Sequence, residues 1–253
     1  MPVKPMARGR RATMVGLSLV ELMVGVAVSL FVVAAAALLV SSQLTDNRKL
    51  LLETQLQQDL RSTADIITRE LRRSSYWASA RDGVPAPLSG TIATNPVMAL
   101  AVSSSANSTV HYNYERGSGT RAYGFKLNDN GVIVACQSDG SGPGGLCGET
   151  ANPWQELTDR NTVRITEFRI SAERPGTNTA NDDALILPCP YPCADGTASC
   201  WPRVSVRELT VLIRGQSRSD PAVQRTLTSS VRVRNDRLQV STEAPANQAC
   251  PAG

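Results

Sequence analysis

At 253 residues the chain has room for one ordinary globular domain plus an extra element, or for two small domains, and with aromatics at 4% and charged residues at 19% a large aromatic core is not expected. The net charge of +4 is a matter of placement: Lys4, Arg8, Arg10 and Arg11 precede Gly16 without an acid among them, and the remaining 22 basic and 22 acidic side chains balance. A neutral body gives no electrostatic reason to expect nucleic acid as the main partner.

The first element is a short basic stretch. Residues 1–16 read MPVKPMARGRRATMVG, short, polar and basic. Next comes an apolar stretch, with 19 uncharged residues from Leu22 to Val40. At about 1.5 Å per helical residue this nearly matches a hydrocarbon layer of ~30 Å. The basic flank predicts a cytoplasmic N-terminus with the remainder exported. Glu21 interrupts the apolar stretch. A carboxylate in a membrane helix costs roughly 2.5–3.5 kcal/mol at the centre and less near the end, so such a residue calls for a partner. Physics alone also allows an interfacial Glu favoured by the helix dipole.

The string GLSLVELMVGVAVSL, running from Gly16 to Leu30, resembles the class III signal of type IV pilins and type II secretion pseudopilins. In that family a basic leader ends in Gly and precedes a hydrophobic helix with Glu at its fifth position. The resemblance implies cleavage by prepilin peptidase between Gly16 and Leu17, N-methylation of Leu17, and retention of the helix as anchor and assembly element. Leu17 is the one departure, since the family more often carries Phe there. The resemblance also implies that Glu21 of one subunit neutralises the new amine of its neighbour, and an opposite charge nearby favours an ionised carboxylate against desolvation. An ordinary secretory signal cut within Ala34–Ala37 is the competing expectation, but it would place Glu21 in the apolar core.

The second element is a long helix. No glycine or proline occurs in the 57 residues from Val26 to Asp82, and those are the strongest helix breakers. Leu52, Leu56, Leu60, Ala64, Ile67 and Leu71 recur at helical spacing, opposite Arg48, Glu53, Gln57, Arg61, Asp65 and Arg72. One helix is therefore expected from about Leu17 to Ser75, with its amphipathic half packed on a sheet. The segment LQQDLRSTADIITRELRRSSYW, with Arg69, Arg72, Arg73, Tyr76 and Trp77, is similar to the corresponding region of PilW-type minor pilins.

Beyond Arg81-Asp82-Gly83 the composition turns rich in turn formers, and Pro85, Pro87 and Gly90 mark a linker. Strands are expected at Val97–Ser103, Thr109–Glu115, Ala122–Leu127, Val132–Cys136, Val163–Ala172, Val204–Arg214 and Val223–Asn235. Asp129-Asn130-Gly131 suits a hairpin turn. Val231 and Val233 should face inward, with Arg232 and Arg234 outward. The apolar phase slips between Ile165 and Phe168 and again between Val206 and Leu209, which predicts a bulge or bend at each. Strands following one helix argue for an α+β fold with an antiparallel sheet on the helix.

All six cysteines lie between Cys136 and Cys250, which reads as disulfides in an oxidising compartment. Cys136 and Cys147 flank the flexible SDGSGPGG loop and form the expected pair. Cys189, Cys193, Cys200 and Cys250 leave three pairings open, with Cys250 expected to staple the tail to the loop around Leu187–Trp201. A zinc site on Cys189, Cys193 and Cys200 would lack both a nearby His and tight Cys-x2-Cys knuckles. The single histidine, His111, sits in an alternating strand and reads as structural. No catalytic motif is present. Gly142, Gly144 and Gly145 precede no helix, and Asp182-Asp183 lacks the spaced ligands of a calcium loop. Neither an enzyme nor a cofactor is expected.

The pilin resemblance implies a type IV pilin-like α+β organisation. Residues 1–16 form the leader, 17–43 the membrane part of the helix, 44–76 its amphipathic part and 77–253 an exported β-rich domain with a disulfide-stapled C-terminal region. It implies a single-pass protein of the bacterial inner membrane with a periplasmic domain, reaching the cell surface inside a pilus. The implied partners are other major and minor pilins, contacted through Gly25, Ala27, Ser29 and Ala34–Ala37, together with prepilin peptidase and the inner-membrane assembly machinery. The implied role is pilus initiation or a place near the tip. A J-like type II secretion pseudopilin and a membrane-anchored adhesin are the alternatives.

Overall fold

In the computed structural model the described residues are 16, 18–83, 93, 95–98, 100–103, 107–117, 119–138, 147, 154–172, 184–186 and 201–241. Their order is one long helix, α1 (Leu19–Arg73), a short 3-10 turn (Ala80–Gly83) and eleven strands. The strands are β1 (Leu100–Val102), β2 (Val110–Arg116), β3 (Gly119–Leu127), β4 (Ile133–Ser138), β5 (Gln155–Glu156), β6 (Val163–Ala172), β7 (Ala184–Ile186), β8 (Trp201–Ser205), β9 (Glu208–Ser217), β10 (Gln224–Arg232) and β11 (Arg237–Ser241). The chain divides into two compact units, Met1–Leu50 and Leu51–Gly253, with the boundary inside α1.

The second unit is a helix on antiparallel sheets. β1 to β5 form a five-stranded meander, β10-β9-β6 a three-stranded sheet and β11-β8-β7 another. Three sheets thus stand where a single one was expected. The predicted apolar stripe is the packed face: Leu56, Leu60, Ala64, Ile67 and Leu71 are buried, and Leu52 packs partly buried beside them. Opposite them lie Tyr112, Tyr114, Phe125, Phe168, Ile170, Val211 and Ile213, all in one continuous core. The fit is close at Gly215 of β9, where a Cβ would stand 3.2 Å from Leu60 and 3.3 Å from Ile165. Tyr112 and Tyr114 stack on Tyr123, and the Tyr114 hydroxyl donates to Glu70 of α1 at 3.1 Å. Burial, then the neighbouring Tyr123 and Glu70, push the Tyr114 hydroxyl well above its usual range.

The β3–β4 turn forms as its residues dictate. Gly131 has φ +72°, and the Asn128 carboxamide oxygen accepts the N–H groups of Asn130 and Val132 at 3.1 and 2.9 Å. The first predicted phase slip is a bulge. Ile165 pairs with Gly215 and Glu167 with Arg214, and Thr166 between them turns its hydroxyl to the Arg214 carbonyl at 3.2 Å. The second slip is a correction. Val204–Arg214 is two strands in two sheets, β8 and β9, and Val206 between them is 47% exposed. Val231 and Val233 are buried while Arg232 and Arg234 are exposed, as their alternation requires. α1 spans Leu19–Arg73, slightly inside the expected limits, and Ser75 follows it with φ +63°.

Candidate membrane anchor and assembly site

The first unit is built on a different balance. Every described residue from Ser18 to Leu50 is exposed, including Phe31 at 77% and Leu38 at 74%. By length and composition α1 is long and apolar enough to cross a membrane. Within the helix the backbone satisfies itself, as a lipid environment demands. Two of its hydroxyls follow suit: Ser29 donates to the Gly25 carbonyl at 2.7 Å and Thr45 to the Ser41 carbonyl at 3.1 Å.

Glu21 lies in the first turn of α1, where the positive end of the helix dipole favours a carboxylate. Four and eight residues on, Gly25 and Ser29 share its face, and Leu22, Val26, Leu30 and Val33 flank the shallow groove they leave. Nothing lies within 4 Å of a Cβ placed on Gly25. The arrangement offers a lone carboxylate at the head of an exposed apolar surface with a small-residue track, suited to receiving another helix that carries a cation. Gly16 is exposed and equally unobstructed. Leu17 falls outside the described residues, so the expected cleavage pair is described on one side only.

The opposite end of α1 is held by residues that sequence reasoning missed. Arg207 donates to the Ser75 hydroxyl and the Asn235 carbonyl, both at 2.8 Å, and to the Met98 carbonyl at 3.4 Å. Burial, with Arg237 nearby, pushes the Arg207 guanidinium down to about 10. The Asn235 carboxamide donates to the Ser74 carbonyl at 2.9 Å, the Arg234 N–H to the Arg72 carbonyl at 3.1 Å, and the Asn95 carboxamide to the Ser75 carbonyl at 3.1 Å. A helix end leaves carbonyls without intrahelical partners, and here residues distant in sequence take them up. The signal was the slip at Val206–Leu209, which marks the strand break holding Arg207. Of the predicted aromatic pair, Tyr76 is 49% exposed, while the Trp77 ring would stand 3.0 Å from a Cβ on Gly83.

Cys136 and Cys147 are joined by a disulfide with their Cα atoms 6.3 Å apart. Cys189, Cys193, Cys200 and Cys250 lie outside the described residues, as do the linker prolines, Gly142, Gly144, Gly145 and Asp182-Asp183. His111 stands edge-on to Trp154 with ring centroids 6.2 Å apart, and Lys126 lies over the Trp154 ring at 4.4 Å. Among the described residues no group of three or more His, Cys, Asp or Glu side chains could hold a metal ion.

The fold and the exposed apolar helix define an α+β protein with one N-terminal membrane-type helix. Residues 49–233 match the family described as prepilin peptidase-dependent protein B, PpdB, and the chain belongs to that family. That family is of the non-catalytic, structural and assembly kind. No curated protein and no solved structure gives a significant match to the chain.

Proposed function

We propose that the chain is a minor pilin of the PilW type, a structural component of the type IV pilus acting in initiation or near the tip. The observation that carries this reading is the agreement of two separate stretches. The family match begins at residue 49 and rests on the exported body. The prepilin-like motif at Gly16, Leu17 and Glu21 lies wholly before it. Two stretches without a shared residue therefore point to the same machinery.

In this reading prepilin peptidase cuts between Gly16 and Leu17 on the cytoplasmic side, which agrees with the peptidase dependence in the family's name. Leu17 is N-methylated. The apolar part of α1 stays in the inner membrane, and the β-rich domain lies in the periplasm, where the Cys136–Cys147 disulfide is stable. On assembly, Glu21 meets the N-terminal amine of a neighbouring pilin while Gly25 and Ser29 let that helix approach. An opposite charge offsets the desolvation of the carboxylate, and neither is favourable alone.

A strain carrying Glu21→Val tests the charge pairing. The variant should insert at wild-type level, because removing a charge eases insertion. Its content in sheared pili should fall at least tenfold, measured by quantitative immunoblotting against the membrane pool. Unchanged pilus number and unchanged content would count against the pairing.

A further inference from the structure

The first turns of the packed half of α1 border a cavity of about 220 Å³ that the assembly reading leaves unused. Leu52, Leu56 and Val163 give it an apolar floor; Asp59, Asn161 and Ser219 lie on its polar side. It is smaller than a drug-sized site and has room for a single long side chain.

Asp59 is what makes the cavity selective. Its backbone carbonyl accepts the hydroxyls of Ser62 and Thr63 at 3.0 and 2.8 Å, but among the described residues its carboxylate has neither a cation nor a donor. The cations in the neighbouring loops are engaged elsewhere: Arg160 pairs with Glu156, and Arg218 donates to the Asn130 carbonyl at 2.9 Å. On the same helix Glu53 already holds Arg225, at 2.5 Å. Burial, and then Asp159, push the Asp59 carboxyl above its ordinary range. A half-buried carboxylate facing a second acid is relieved by an incoming cation.

The geometry points to a binding site for a basic side chain, the alkyl stem lying on Leu52, Leu56 and Val163 and the ammonium or guanidinium head on Asp59. The chemistry follows from the cavity alone. Its source, a lysine or arginine of a neighbouring subunit packed along α1, rests on the assembly reading above. Stem and head must act together: an apolar ligand would leave Asp59 uncompensated, and a bare cation would leave the floor uncovered.

The test uses the full chain in detergent micelles, with amide resonances of Asn161, Thr162 and Ser219 as reporters. The probes are Nα-acetyl-lysine methylamide, its arginine counterpart, the uncharged norleucine counterpart and free cadaverine. Saturable shifts at those three amides are expected with the lysine and arginine probes. The norleucine probe, and the lysine probe against Asp59→Asn, should bind at least fivefold more weakly. Asp59→Asn keeps the backbone carbonyl that caps Ser62 and Thr63, so the fold should survive, and an unchanged melting temperature would show it. Equal binding by Asp59→Asn or by norleucine would overturn the proposal. So would the absence of saturable shifts, and tighter binding of cadaverine would overturn the side-chain source. Since these probes read the cavity alone and the Glu21→Val strain reads incorporation, either idea can fail without the other.

Discussion

Residues 19–50 and residues 51–73 belong to one helix, yet the first stretch exposes all its side chains while the second buries Leu56, Leu60, Ala64, Ile67 and Leu71. Backbone geometry is common to both; the difference lies in how polar residues are placed. From Leu22 to Val40 no charge breaks the surface, so no direction is preferred and apolar groups point all round. Beyond it, charges occupy one side and leave a stripe that the sheets can cover. An apolar surface facing every way cannot be buried by one domain, and lipid or several other helices must cover it. The comparison teaches that the two stretches respond to different solvents, which gives three ways to break or sharpen it.

The largest contrast is between two phenylalanines. Phe168 is fully buried and Phe31 is 77% exposed. Phe168→Ala should lower the unfolding free energy of the second unit by about 3–5 kcal/mol. Phe31→Ala should leave it within ~0.5 kcal/mol. Denaturant titration of the full chain in micelles, followed by tryptophan fluorescence, reads both, and equal effects would dissolve the distinction.

A smaller effect is expected at the grip on the C-terminal end of α1. Arg207→Met keeps much of the stem but strips donors from the Ser75 hydroxyl and the Asn235 carbonyl. The loss should be about 2–3 kcal/mol, since buried acceptors are left without partners. Amide hydrogen exchange should then speed up around Leu71–Ser75 before it does around Leu60. Unaltered protection there would mean that the helix end is held by packing alone.

The smallest contrast lies between two glycines. A Cβ on Gly131 would stand 2.8 Å from Arg164 Cγ and 3.0 Å from the Ile165 carbonyl, at φ +72°. Gly131→Ala should therefore cost about 1–2 kcal/mol. Gly25→Ala meets nothing within 4 Å and should leave the stability of the second unit unchanged. Its expected effect is on helix association in the membrane, read by cross-linking yield.

What could be read in advance follows from how local each signal is. The α1 stripe, the Asp129–Gly131 turn and the bulge at Thr166 each depend on side chains a few residues apart, and each was legible. Sheet membership was not, because it depends on pairings across long stretches of chain. β8 was hidden by Pro202, a residue that argues against a strand interior, and β5 is only two residues long. Arg207 read as one arginine among many. Its role arises only when Ser75, Met98 and Asn235 converge on it. Gly16 and Glu21 were conspicuous for the opposite reason, since an acid in an uncharged run needs no tertiary contact to be noticed. The Asp59 cavity left no trace in the sequence, because Asn161 and Ser219 reach it from loops about a hundred residues or more away along the chain.

The proposal that the apolar helix is retained is tested most directly by mass spectrometry of the mature N-terminus, on protein from membrane and sheared-pilus fractions. A chain beginning at N-methylated Leu17 in both fractions is the predicted result. A chain beginning beyond Ala34–Ala37 would contradict it, because the membrane part of α1 would then have been discarded before assembly.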